Sequence, residues 1–184
     1  MKKVNWADRA IGDVYFTAVP SLEHSAIWLA ERLDHPDAPT TFPVTHAGIV
    51  GPYTGYVTES WRSKHSNIDS VASVVSDAKY DERYVECWRL DDLSAENATN
   101  TFNLYLAKYV PERYGLLNLI GFAYRAVIKE ITGKDVDNPI ECSQVCSQGV
   151  GDYIRLSGVE PWFSVVDIRN LDPLMLRILF LAHS

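Results

Sequence analysis

The chain has 184 residues, 47% of them apolar, three cysteines and a formal net charge of −7. These values exclude a disordered chain and a disulfide scaffold, and they predict one domain, 1–184, with a core of its own. The acidic balance, with no clustered Lys and Arg, argues against a nucleic-acid partner, and an odd, low cysteine count fits reducing surroundings.

The opening Met-Lys-Lys-Val-Asn-Trp-Ala-Asp-Arg has no apolar run before Asp8. A Sec signal peptide is therefore not expected, and the expected location is cytoplasmic, with release by lysis as the route outward if the chain is phage-encoded. Gly12–Thr17 reads as a short strand entered through a turn. Ser21–Leu33 has apolar residues at Leu22, Ala26, Leu29, Ala30 and Leu33, which is helical spacing with Ser21 as its cap. A Pro/Asp-rich loop follows at Asp34–Thr41. Two further strands, Pro43–Val50 and Gly55–Ser60, are joined by Gly51-Pro52-Tyr53-Thr54 in a hairpin-type connection. Weaker strand signals cover Ser70–Ser76 and Tyr84–Leu90. Alternation in the second leaves two buried faces open, one with Tyr84, Glu86, Trp88 and Leu90, the other with Val85, Cys87 and Arg89.

Helical patterns then dominate. Ser94–Val110, Tyr114–Thr132 and roughly Asn138–Leu156 are predicted helices, with Gly133 and Gly158 as stops. Val165–Ile168 reads as a last short strand, and Asp172–Leu181 as a closing helix with Pro173 in its first turn. The apolar stretches Tyr114–Ile128 and Leu171–Ala182 fall short of the roughly 20 residues that span a bilayer. They are expected to be buried core helices, and no integral membrane segment is expected. Strands followed by helices define an α+β chain, an antiparallel sheet packed against helices.

Cys142 stands in Asn138-Pro139-Ile140-Glu141-Cys142-Ser143-Gln144, at or near the start of a helical pattern. There the positive end of the helix dipole favours thiolate, and backbone N–H groups can receive an oxyanion. The ordinary alternative is a small buried cysteine. Cys146 shares its helix face one turn deeper, a position suited to packing. A zinc site from Cys142, Cys146 and His46 has weak support, because no second Cys or His pair accompanies it. His46 lies in the β-branched run Val44-Thr45-His46-Ala47-Gly48-Ile49-Val50, where small neighbours allow a close approach, and a neutral imidazole is the usual partner of a catalytic thiol. Glu59 ends the strand expected to pair with it, where a carboxylate can fix the imidazole tautomer. Asp13 orients a loop or caps a turn. His24, His35, His65 and His183 lie in segments with less to offer.

Taken together, Gly12-Asp13, Thr45-His46-Ala47-Gly48-Ile49-Val50, Val57-Thr58-Glu59 and Ile140-Glu141-Cys142-Ser143-Gln144 resemble the circularly permuted branch of the NlpC-type papain-like superfamily, the YiiX/YaeF-like group. The resemblance covers about residues 11–156. It implies a papain-like core in which the histidine strand precedes the cysteine helix. Cys142 would be the nucleophile, His46 the base and Glu59 its orienter, with no metal or organic cofactor. Where the group often has Cys-Ser-Glu, this chain has Gln144. Tyr15 and Tyr114 are candidate second donors to an oxyanion.

The implied partner is a peptide or another acyl-containing substrate. The implied reaction is cleavage of an amide bond, peptide or cell-wall peptide, through a thioester acyl-enzyme. An acyltransferase or esterase acting on lipid-linked acyl groups, and a non-catalytic binding protein with the same fold, are the alternatives.

Overall fold

A computed structural model describes residues 1–18, 28–29, 31–38, 42–51, 53–61, 70–109, 116–134, 136 and 146–184. Six strands form one sheet: β1 (Lys2–Val4), β2 (Val14–Thr17), β3 (His46–Val50), β4 (Tyr56–Trp61), β5 (Ser70–Ser76) and β6 (Val85–Arg89). Their spatial order is β1-β6-β2-β3-β4-β5, and every neighbouring pair is antiparallel. Four helices are described in the second half of the chain: α1 (Ala95–Tyr109), α2 (Leu116–Thr132), α3 (Cys146–Ser157) and α4 (Pro173–Ala182). The fold is therefore α+β, an antiparallel sheet packed against helices.

The central strands are apolar on both sides, which is why β2 and β3 read as continuous buried runs. Every residue of β2 and β3 is buried. On one face Val14, Phe16, Ala47, Ile49, Trp88 and Leu90 meet side chains of α1, α3 and α4, among them Phe102, Val150, Tyr153, Leu176 and Phe180. On the other face Tyr15, Val50, Val57 and Cys87 pack against Trp6. Burying each large apolar side chain contributes about 1.5–3 kcal/mol, so the helix-covered face carries most of the stability.

Local chemistry sets the element ends. Asp172 caps α4, its Oδ1 accepting from the Met175 N–H at 2.6 Å, with Pro173 in the first turn. Gly133 and Gly158, both with φ near +68°, close α2 and α3 as the sequence predicts. The β3–β4 hairpin is closed by the Gly51 N–H donating to the Tyr56 carbonyl at 2.8 Å.

Three expectations change. Val165–Ile168 is not a strand. Two 3-10 turns, Pro161–Val165 and Ile168–Asn170, occupy that stretch, the second capped by Asp167 accepting from the Arg169 N–H. Neither face of β6 is solvent-exposed as alternation alone implied. Glu86, Trp88 and Leu90 are buried against the helices and Cys87 on the opposite side, while Tyr84 is exposed. The expected core helix at Tyr114–Ile128 is one-sided where its side chains are described: Ala126 is buried, but Tyr124, Val127 and Ile131 are exposed. Most of the expected Ser21–Leu33 helix, with its Ser21 cap, lies outside the described residues. No helix among the described residues is long and apolar enough to cross a membrane.

One buried ion pair ties the sheet to α4. Glu86 Oε1 accepts from Trp88 Nε1 at 2.8 Å and from Arg177 Nε at 3.1 Å. Its Oε2 accepts from Arg177 Nη2 at 3.0 Å and Lys3 Nζ at 3.1 Å. Burial alone would raise the Glu86 carboxyl, but Arg177, Trp88 and Lys3 together hold it below its ordinary range. Removing one partner strands the other in an apolar setting. Glu86→Ala is expected to cost about 3–5 kcal/mol in urea unfolding, whereas Glu86→Leu with Arg177→Met recovers most of that loss.

Candidate active site

His46 is the first residue of β3 and is 1% exposed. The strand's entry is pinned from two sides: the Thr45 N–H and its hydroxyl both donate to the Thr17 carbonyl, at 3.0 and 3.2 Å. Along β3, His46 has the parity of Gly48 and Val50, which face Tyr15 and Trp6. Ala47 and Ile49 face the helices. The edge of the Tyr15 ring meets the imidazole, with centroids 6.5 Å apart at 65°.

The sequence reading expects the small residues beside His46 to admit a backbone or a substrate. At Gly48 the space is filled by Tyr15 instead. A Cβ at position 48 would lie 2.4 Å from Tyr15 Oη and 2.5 Å from Cζ, so the phenol lies flat across β3 only because Gly48 has no side chain. Tyr15 is fully buried and its Oη is 3.2 Å from Tyr80 Oη. It stands beside His46, and Tyr114, the other candidate oxyanion donor, lies outside the described residues.

Glu59 pairs through its backbone with Gly48 on β3 and Ser73 on β5. That register places residue 59 diagonal to His46, within reach of a long side chain in an antiparallel pair. Cys142 lies outside the described residues, as do Asn138–Gln144 around it, and α3 is described from Cys146. Its Tyr153 hydroxyl lies 3.0 Å from where a Gly12 Cβ would stand, and the Gly12 N–H donates to the Val50 carbonyl at 2.9 Å. The later turns of α3 therefore lie at the Val50 end of β3. Its first turn is roughly 10 Å back along the axis. There Ser147 Oγ donates to the Leu171 carbonyl at 2.5 Å and Gln148 Nε2 to the Arg169 carbonyl at 2.7 Å. α3 packs on the Ala47 and Ile49 face of the sheet, opposite the face that His46 shares with Tyr15.

The two other cysteines are packing residues. Cys87 and Cys146 are buried and free of disulfides, and burial pushes the Cys87 thiol up to about 12.

Beside the first turn of α3 is a charged cluster built in part from a segment whose sequence reads as loop. His35 Nε2 is 3.0 Å from Asp172 Oδ2 and 3.6 Å from Asp34 Oδ2. Lys129 Nζ is 3.2 Å from Asp34 Oδ1 and Arg125 Nη2 is 3.4 Å from Asp34 Oδ2. The only sequence signal was Asp172 before Pro173, a helix cap. Asp34, His35 and Asp172 lie close enough to share a metal ion. However, Lys129 and Arg125 already neutralise Asp34, so a proton on His35 meets the remaining charge without a dication.

Burial opposes charge on His35, but the hydrogen bond and charge of Asp172, with Asp34, outweigh it and raise its titration above 6.5. Nearby Glu31 is buried, with a backbone hydrogen bond at Leu174 favouring its charged form. Burial, then Asp172 and Cys146, push its carboxyl well above the ordinary range.

No protein-family model matches the chain, no curated protein matches it, and no solved structure matches its fold.

Both raised groups act in the same direction. Protonated His35 stabilises the fold below 6.5, and that contribution is lost as pH rises through its folded value. Glu31, raised above 4.5, favours the fold while protonated and opposes it once ionised. Denaturant unfolding is expected to show roughly 1–2 kcal/mol less stability at about pH 8.5 than at about pH 6, with Glu31→Gln and His35→Gln each flattening that slope.

Proposed function

We propose that the chain is a cysteine hydrolase with a circularly permuted papain-like core, cleaving an amide bond in a peptide or cell-wall peptide. The observation that carries this reading is the placing of His46. It is a buried imidazole at the first position of a central strand. The register that sets residue 59 diagonal to it supports Glu59 as the orienting acid.

The chemistry balances with water as the only co-reactant. His46 takes the proton from Cys142, and the thiolate sulfur attacks the amide carbonyl carbon. The carbonyl π pair moves onto oxygen, where backbone N–H groups at the helix start receive it. Collapse of this intermediate forms a thioester and expels the amine, which leaves with the proton held by His46. Water then attacks the thioester, gives a proton to His46, and the acid departs as the thiol is restored. Glu59 accepts from the far ring N–H and keeps the reacting nitrogen turned to sulfur. The reading requires residues 138–145 to carry the Cys142 thiol around the end of β3 to the Tyr15 side.

The test is a panel of peptide, ester and thioester substrates with intact-mass detection of the acyl-enzyme. Wild type is expected to accumulate one acyl group on Cys142. Cys142→Ala is expected to lose activity by about 10³-fold or more, and Glu59→Gln by about tenfold. Full activity in Cys142→Ala would remove the proposal. Transfer to an added amine or alcohol faster than to water would change it to acyl transfer.

A further inference from the structure

We infer that the Asp34–His35–Asp172 cluster is a pH-sensitive latch: protonated His35 holds the 31–38 segment against the start of α4, and neutral His35 lets that segment open. This device is independent of the hydrolase reading, since it needs neither Cys142 nor His46.

Three elements build it. The 31–38 segment is tied to itself: the His35 N–H donates to the Glu31 carbonyl at 2.8 Å and the Ala38 N–H to the His35 carbonyl at 3.1 Å. Arg32 donates to the carbonyls of Ala38 and Pro36, at 2.6 and 2.9 Å. On one side α2 grips the segment, where Lys129 Nζ donates to the Asp34 carbonyl at 2.7 Å. On the other, two side chains bridge it to the start of α4. His35 Nε2 meets Asp172 Oδ2 at 3.0 Å, and the Glu31 carboxyl accepts from the Leu174 N–H. Asp172 stays with α4, because its Oδ1 accepts from the Met175 N–H at 2.6 Å. Both bridging groups on the segment are titratable, so their protons decide whether it stays docked.

Among the described residues, the charged groups facing His35 are Asp172 from α4, Asp34 from its own segment and Lys129 from α2. Asp34 is matched by Lys129 at 3.2 Å and Arg125 at 3.4 Å. The cation that meets Asp172 is His35. Neutral His35 keeps a hydrogen bond to Asp172 but no longer offsets its charge. Ionised Glu31 then adds a second buried carboxylate beside Asp172. Opening the segment gives Glu31 and His35 to water and relieves both costs. The His35 side chain is 14% exposed against 3% for Asp172, so its proton exchanges with solvent while the latch is shut. Against the effect of burial, Asp172 and Asp34 raise the titration of His35, which puts release above 6.5.

Native-state hydrogen exchange tests this, read as protection factors in low urea with EDTA present, at about pH 6 and about pH 8.5. Local opening is recognised when the His35 and Ala38 amides are less protected, and less sensitive to urea, than the Val50 amide of β3. Their protection is expected to fall about tenfold from the lower pH to the higher, the effect of a one-unit shift. His35→Gln keeps a donor for Asp172 but does not titrate, and is expected to shrink that fall, with the double variant Glu31→Gln, His35→Gln removing it. If His35→Gln does not fold, Asp172→Asn decides. Its amide oxygen still caps α4, but the charge that His35 offsets is gone, so the fall is expected to shrink there too. His35 and Ala38 amides that open only together with Val50, or whose protection does not change with pH, overturn the latch. So does a fall of full size in a folded His35→Gln or Asp172→Asn.

Discussion

β3 is buried on both faces, and the rest of the site follows from that constraint. A strand with no solvent side can carry a polar group only where a neighbour shapes a place for it. Ala47 and Ile49 fill the helix side, which leaves His46, Gly48 and Val50 to meet Tyr15 and Trp6. Gly48 is the concession that makes this work. Its missing side chain admits a phenol lying flat against the strand, and that phenol in turn walls the imidazole. The cost of glycine in a strand, roughly 0.5–1 kcal/mol relative to alanine, is offset by the buried area of Tyr15.

Charged clusters hold this strand's surroundings in place from two directions. Glu86 with Arg177, Trp88 and Lys3 fixes α4 to the sheet. Asp34, His35, Asp172, Lys129 and Arg125 tie the 31–35 turn to α2 and to the start of α4. Asp172 belongs to both tasks, since one oxygen caps α4 while the other meets His35. The first turn of α3 is bound to the same corner through Ser147 and Gln148. Low-exposure charges arranged this way define one packing, because an alternative arrangement leaves a buried ion unpaired.

Most strands and helices were legible because each had a local signal, but β1 at Lys2–Val4 was not, since three residues are too short to show a period. A weak strand signal marked Ser70–Ser76, glycines at 133 and 158 marked helix ends, and the Asp172-Pro173 pair marked the last helix. The sequence failed at Val165–Ile168, where two valines and an isoleucine look like a strand. Asp167 captures the backbone instead and makes a turn. It left the faces of β6 open because both are buried, so periodicity had nothing to distinguish. His46 was legible as a strand histidine beside small residues. Its packing against Tyr15 was not, since the two are 31 positions apart and meet only through sheet register. The His35 cluster was hidden for the same reason, with Asp172 lying 137 residues from its partner. Non-local ion pairs leave no local pattern to read.

The central claim is that His46 activates the thiol of Cys142. It is tested most directly by the pH dependence of iodoacetamide labelling, resolved by site in wild type and His46→Ala. The account predicts that Cys142 labels well below the ordinary thiol range of about 8.5, ahead of buried Cys87 and Cys146, and that His46→Ala abolishes this advantage. Labelling of Cys142 no faster than Cys87, or equally fast without His46, would contradict it.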